Sequence, residues 1–130
     1  MTLVFVSAMA VSTYATHLMG GQIVATNIGG YDYQIELTAY RDTIGVPMGL
    51  VAVFNVFEQD TSGGWISLFT SSVNYDTTSG GLMPSVVSVY GVEVYTFIDT
   101  ITMPGDGYYA ISWDECCRNG AIINMSNPLS

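Results

Sequence analysis

From Tyr31 to Tyr40 the chain alternates without a break. Tyr31, Tyr33, Ile35, Leu37 and Ala39 take one side of an extended segment, and Asp32, Gln34, Glu36, Thr38 and Tyr40 take the other. Successive side chains on a strand point to opposite faces, so this period of two describes a strand with one apolar and one largely polar face. No window carries sustained apolar spacing at the helical period. Many Thr and Ser, abundant Tyr and fourteen glycines suit strands joined by turns. The predicted fold class is all-β.

The remaining punctuation divides the chain into short strands. Met19 to Ile28 reads as a strand ended by Gly29-Gly30, the tight connection of a hairpin. Thr43 to Gly49, with Gly45 and Pro47, reads as a loop. Val51 to Phe57 is apolar apart from Asn55, which predicts a strand covered on both faces or placed at the centre of the module. Gly63-Gly64 opens a strand at Trp65 to Phe69, and Ser71 to Pro84, rich in Ser, Thr and Gly, reads as the longest loop. Val86 to Met103 holds one or two strands, with Gly91 as a break or bulge. Pro104-Gly105-Asp106-Gly107 is a turn, followed by a strand from Tyr108 to Trp113 with Tyr109, Ile111 and Trp113 on one side. Ala121 to Met125 is a last short strand. Seven or eight strands at this spacing in 130 residues predict a single β-sandwich of immunoglobulin-like type.

The first residues have a different character. Leu3 to Val11 is a short apolar run followed by small and polar residues, with Thr13 and Ala15 at the −3 and −1 positions of a signal-peptide cleavage site. The run is too short to span a bilayer, which needs about 20 apolar residues, and a basic segment before it is lacking. A buried first strand is the competing reading. The expected organisation is a signal peptide over residues 1–15 and a β-sandwich over 16–130, in a secreted or cell-surface protein. The last residues, Asn127-Pro128-Leu129-Ser130, read as the start of a further segment, so the domain is expected to head a longer protein.

Eleven acids against two arginines give a net charge of −9, which repels phosphate backbones and anionic lipid surfaces. Neither nucleic acid nor membrane insertion is expected. There is no lysine, and both arginines stand beside acids, in Tyr40-Arg41-Asp42 and in Asp114-Glu115-Cys116-Cys117-Arg118. Each is expected to be structural and at least partly buried against a carboxylate, with Asp42, Asp114 and Glu115 as the nearest candidates. The adjacent Cys116 and Cys117 leave three readings open: a strained vicinal disulfide, two separate packed thiols, or bonds to another chain.

The catalytic inventory is thin. His17 is the single histidine, which removes Ser-His and Cys-His dyads within the core and leaves a terminal copper site without its second imidazole. No nucleophile elbow and no phosphate-cradling glycine loop occur. Zinc wants about four ligands, which adjacent thiols supply poorly. The acidic turns at Asp60, Asp76 and Asp106 and the pair Asp114-Glu115 lack the Asp-x-Asp-x-Asp-Gly pattern of a calcium loop and read as solvated charge. No cofactor or metal is expected. Trp65, Tyr108, Tyr109 and Trp113 could form a sugar-stacking platform; the competing reading is that they fill the sandwich core.

Three motifs together resemble the N-terminal module of large secreted surface proteins of the gliding-motility-associated class of Bacteroidota, many of which carry PKD or Ig-like repeats. They are Thr16-His17-Leu18-Met19-Gly20-Gly21-Gln22-Ile23, Leu37-Thr38-Ala39-Tyr40-Arg41-Asp42, and Cys116-Cys117-Arg118-Asn119-Gly120 through Asn127-Pro128. The resemblance implies an exported, non-catalytic surface or adhesin-like module. It also implies partners among downstream repeats or other surface proteins. That family often has one cysteine just after Tyr-Arg-Asp and another just before a Val-Glu pair, where this chain has Thr43 and Gly91. The joint absence implies that those two cysteines pair with each other, leaving Cys116 and Cys117 as their own unit. The expected function is a structural or adhesive module of a secreted surface protein, with a carbohydrate-binding module using exposed aromatics as the alternative.

Overall fold

The structure is a computed structural model in which residues 18–44, 47–77, 85–86 and 91–115 are described, with backbone alone at 85–86. The leader, His17, Cys116, Cys117, Arg118 and the segment 121–125 lie outside the described residues. Every described element is a strand: β1 (Leu18–Gly29), β2 (Asp32–Asp42), β3 (Val51–Gln59), β4 (Trp65–Asn74), β5 (Ser85–Val86), β6 (Val92–Thr102) and β7 (Tyr109–Trp113). They form two antiparallel sheets, ordered β1-β2-β6-β5 and β4-β3-β7, in a β-sandwich.

The alternation in β2 explains why the sheets face each other. Its odd positions Ile35, Leu37 and Ala39 are buried, as are Tyr95, Phe97 and Ile101 on β6, where Leu37 pairs with Phe97 and Ala39 with Tyr95. Ala52, Phe54 and Val56 of β3 meet them from the other sheet, and Phe69, Val73, Ile111 and Trp113 close the sides. Tyr75 stands edge-on to Tyr95 and Phe97, with ring centroids 6.0 and 6.2 Å apart, the arrangement favoured by the ring quadrupoles. A serine–aspartate hydrogen bond, from Ser71 Oγ on β4 to Asp99 on β6, joins the layers.

Several turns form where glycine permits them. Gly30 adopts φ +56° between β1 and β2, a left-handed conformation that costs a side-chain-bearing residue energy. Asn27 fastens this hairpin by donating Nδ2 to the Gly30 carbonyl and accepting the Gly29 N–H. Gly91, at φ +71°, stands immediately before β6, and among the described residues Val86 belongs to β5 and Val92 begins β6.

Two boundaries differ from the sequence reading. Ser71 to Asn74 belongs to β4 and Tyr75 to the core, so the loop predicted from Ser71 begins later. Small hydroxyl side chains signal a loop by composition, but here Ser71 bonds across the sandwich and Val73 packs on the core. β3 is the central strand of its sheet and is covered on one face; Val51 and Val53 on the other are 53 % and 42 % exposed.

The β3–β4 hairpin is tied by Asp60. Its Oδ1 accepts from the Ser62 N–H and hydroxyl and from the Gly64 N–H, while its own backbone pairs with Gly63 and Gly64. The Ser62 hydroxyl bond, followed by the backbone N–H groups, holds the carboxyl below its ordinary value of 3.8. A folded-state value lower than the unfolded one gives stability that is present above the unfolded value and lost as pH falls through the folded one. Asp60→Asn is therefore expected to lose less melting temperature than the parent on acidification from about pH 5 to pH 2.5. Parallel acid slopes for the two proteins in thermal melts would remove Asp60 from the acid response.

Candidate binding face

Cross-strand partners share a face, so the registers of β4-β3-β7 define its outer surface residue by residue. At the hairpin end Gln59 pairs with Trp65 on β4, and its N–H donates 2.9 Å to the Tyr108 carbonyl, one step beyond the Glu58–Tyr109 pair. Below this row Phe57 lies between Ser67 and Ala110, and Asn55 lies between Thr70 and Ser112. Val53 beside Ser72, and Val51 beside Asn74, complete the surface. Trp65 is 53 % and Tyr108 77 % exposed. Gln59 Nε2 donates 3.3 Å to the Gly63 carbonyl, which holds the amide near the hairpin tip.

An irregularity decides which aromatic residues appear here. Val56 pairs with Phe69 but Phe57 with Ser67, so Leu68 is one extra residue in β4, a β-bulge. It turns Phe69 toward the core and Trp65 and Ser67 outward. Strict alternation would have put Trp65 and Phe69 on one face.

The predicted platform of Trp65, Tyr108, Tyr109 and Trp113 therefore separates. Trp113 pairs with Phe54 and Tyr109 with Glu58, on the inward side with Ile111, and all three pack against the core. Tyr109 donates its hydroxyl to the Gly105 carbonyl at 3.0 Å. Partial burial, reinforced by the nearby Glu58 charge, pushes its phenol up. Trp65 and Tyr108 remain on the outside with Gln59 between them. Gln59, Asn55 and Phe57 were not marked in the sequence. β3 reads in the sequence as an apolar run interrupted at Asn55, and membership of a surface across three strands depends on register.

The paired rows carry no charged side chain, but Asp114, just past β7, stands beside the middle of the face, where Asn55 Nδ2 donates 3.0 Å to its carboxylate. The outer face of the four-stranded sheet differs, with Asp32, Glu36 and Asp42 at alternate positions of β2. Asp42 also accepts the Ile44 N–H at 2.9 Å.

Arg41 lies away from both outer faces. It is 2 % exposed on the inward side of β2, in line with Leu37 and Ala39, and pairs with Glu93 directly opposite on β6. Tyr95 donates its hydroxyl to the same carboxylate at 3.2 Å. Burial first, and then the Glu93 charge, push the Tyr95 phenol up. The Glu93 partner was not among the acids nominated from the sequence. Asp42 is the next residue on the same strand and points to the opposite side, whereas Glu93 reaches Arg41 through strand pairing.

Thr43 and Gly91, where the resembling family often carries cysteines, sit against each other. The Thr43 N–H donates 2.8 Å to the Gly91 carbonyl. A Cβ built on Gly91 lies 3.7 Å from the Thr43 Cβ. Among the described residues no three His, Cys, Asp or Glu side chains gather as a metal site. No protein-family model, curated protein or solved structure matches the chain.

Proposed function

We propose that this chain is a non-catalytic structural or adhesive module of a secreted cell-surface protein, built as an immunoglobulin-like sandwich. The strand order β1-β2-β6-β5 over β4-β3-β7 supports the immunoglobulin-like assignment, because it corresponds to A-B-E-D over C′-C-F of that architecture. The observation that carries the adhesive reading is the outer face of β4-β3-β7, where Asp114 beside Asn55 is the one charged side chain among the described residues of the face and Val51, Val53, Trp65 and Tyr108 are exposed on a chain of net charge −9. Trp65 and Tyr108 on either side of Gln59 favour carbohydrate as a second reading of the same face.

Beads coated with the purified domain should be retained on a subset of surfaces in a panel of immobilised proteins and polysaccharides. Val53→Asp, which places a charge in the centre of the face, should abolish that retention while costing about 1 kcal/mol of stability, as expected for a strand former replaced by Asp on the exposed side of a central strand. Retention that is absent, or indifferent to Val53→Asp, would overturn the adhesive reading.

A further inference from the structure

We infer that the outer face of the three-stranded sheet binds a neutral, extended polysaccharide laid across the strands at the hairpin end and stacked on Trp65 and Tyr108; this rests on the binding-module reading above. Trp65 opens β4 and Tyr108 immediately precedes β7, and they flank Gln59 of β3, Trp65 by strand pairing and Tyr108 by accepting the Gln59 N–H. Neighbouring strands are about 4.8 Å apart, so the two backbones stand about 10 Å apart. That separation suits consecutive stacking sites along linked pyranose rings, whose apolar C–H faces pack on aromatic surfaces while their hydroxyls point sideways.

The groups between and below the rings are of the kind that hydroxyls need. Gln59 lies between them, and Ser67, Asn55, Thr70 and Ser112 occupy the next rows. Amides and hydroxyls both donate and accept, as sugar hydroxyls do, so pairing them requires no desolvation of an ion. Phe57 extends the apolar surface from beneath Gln59 toward the middle of the sheet.

Charge excludes the other classes of occupant. The net charge of −9 disfavours polyanions throughout the molecule; for a cationic partner this face offers the single carboxylate of Asp114 beside Asn55, since Asp60 at the hairpin tip is engaged by its own turn, whereas the opposite outer face offers Asp32, Glu36 and Asp42. A second copy carries the same net charge. The two most exposed aromatics among the described residues, moreover, stand at one end of the sheet, whereas the anchors of a stable protein interface cluster near its centre. A neutral ligand is the class that fits.

Affinity gel electrophoresis of the purified chain tests this with β-glucan, xylan, mannan and dextran against alginate and polygalacturonate. At least one neutral polysaccharide should retard the protein. Trp65→Ala and Tyr108→Ala should each weaken that retardation by roughly tenfold, as expected from losing one stacked ring. Tyr109→Phe, on the inward side, should leave it unchanged. Absence of retardation by every neutral polymer, insensitivity to Trp65→Ala and Tyr108→Ala, or preference for the anionic polymers would overturn the inference. Bead retention that depends on Val53 without polysaccharide binding would overturn it while leaving the adhesive reading intact; loss of both would overturn the two together.

Discussion

Arg41→Ala is expected to lower the melting temperature by roughly 10 °C, at a cost of about 3 kcal/mol. Arg41 is almost wholly enclosed, and its removal leaves the Glu93 carboxylate with Tyr95 but without the cation opposite it. Breaking one side of a buried ion pair costs about 3 to 5 kcal/mol. The lower end applies because Glu93 retains 22 % of its side-chain exposure and can recover some hydration. A double variant, Arg41→Met with Glu93→Leu, should recover most of the loss, since replacing both charges with packed apolar groups is often neutral or better. Thermal melts of the parent, the single variant and the double variant read this directly. A single variant that melts with the parent would mean that the pair contributes nothing to stability.

The second large effect is a gain. Thr43→Cys with Gly91→Cys is expected to close a disulfide and raise the melting temperature by roughly 5 to 10 °C over its own reduced form. The Cβ separation of 3.7 Å at these positions lies within the disulfide range. Joining them closes a loop of roughly 50 residues, for which the chain-entropy gain is about 4 kcal/mol. Gly91 has φ +71°, where a residue with a side chain pays about 1 to 2 kcal/mol; oxidised and reduced variants both carry that cost, so it lowers the gain over the parent and not the gain over the reduced form. Thiol titration and melts with and without reductant give the answer. Free thiols under oxidising conditions, or an oxidised form that melts below the reduced one, would show that the two positions cannot be bridged without distorting the native backbone.

The candidate face was only partly legible in the chain. Exposed aromatics were nominated, but Tyr108 and Tyr109 are adjacent, and composition does not distinguish the one facing outward. Pairing of Tyr109 with Glu58, on the side of Ile111 and Trp113, decides it. Trp65 is outside because Leu68 inserts one residue and shifts the alternation, a feature with no local sequence signal. Thr43 and Gly91 are a related case: they are far apart in the chain, and the β2–β6 ladder brings them together.

The alternation of β2, the glycine hairpin at Gly29-Gly30 and the Pro104 to Gly107 turn were enough to establish extended strands and their reversals, because both depend on neighbouring residues and backbone conformation. Two facing antiparallel sheets followed from those strands needing to bury their apolar sides. Tertiary structure alone decided that Glu93 meets Arg41, that Ser71 reaches Asp99, and that Trp65, Gln59 and Tyr108 form one row. Each of these depends on register between segments distant in the chain, and a shift of a single residue exchanges the faces of an entire strand.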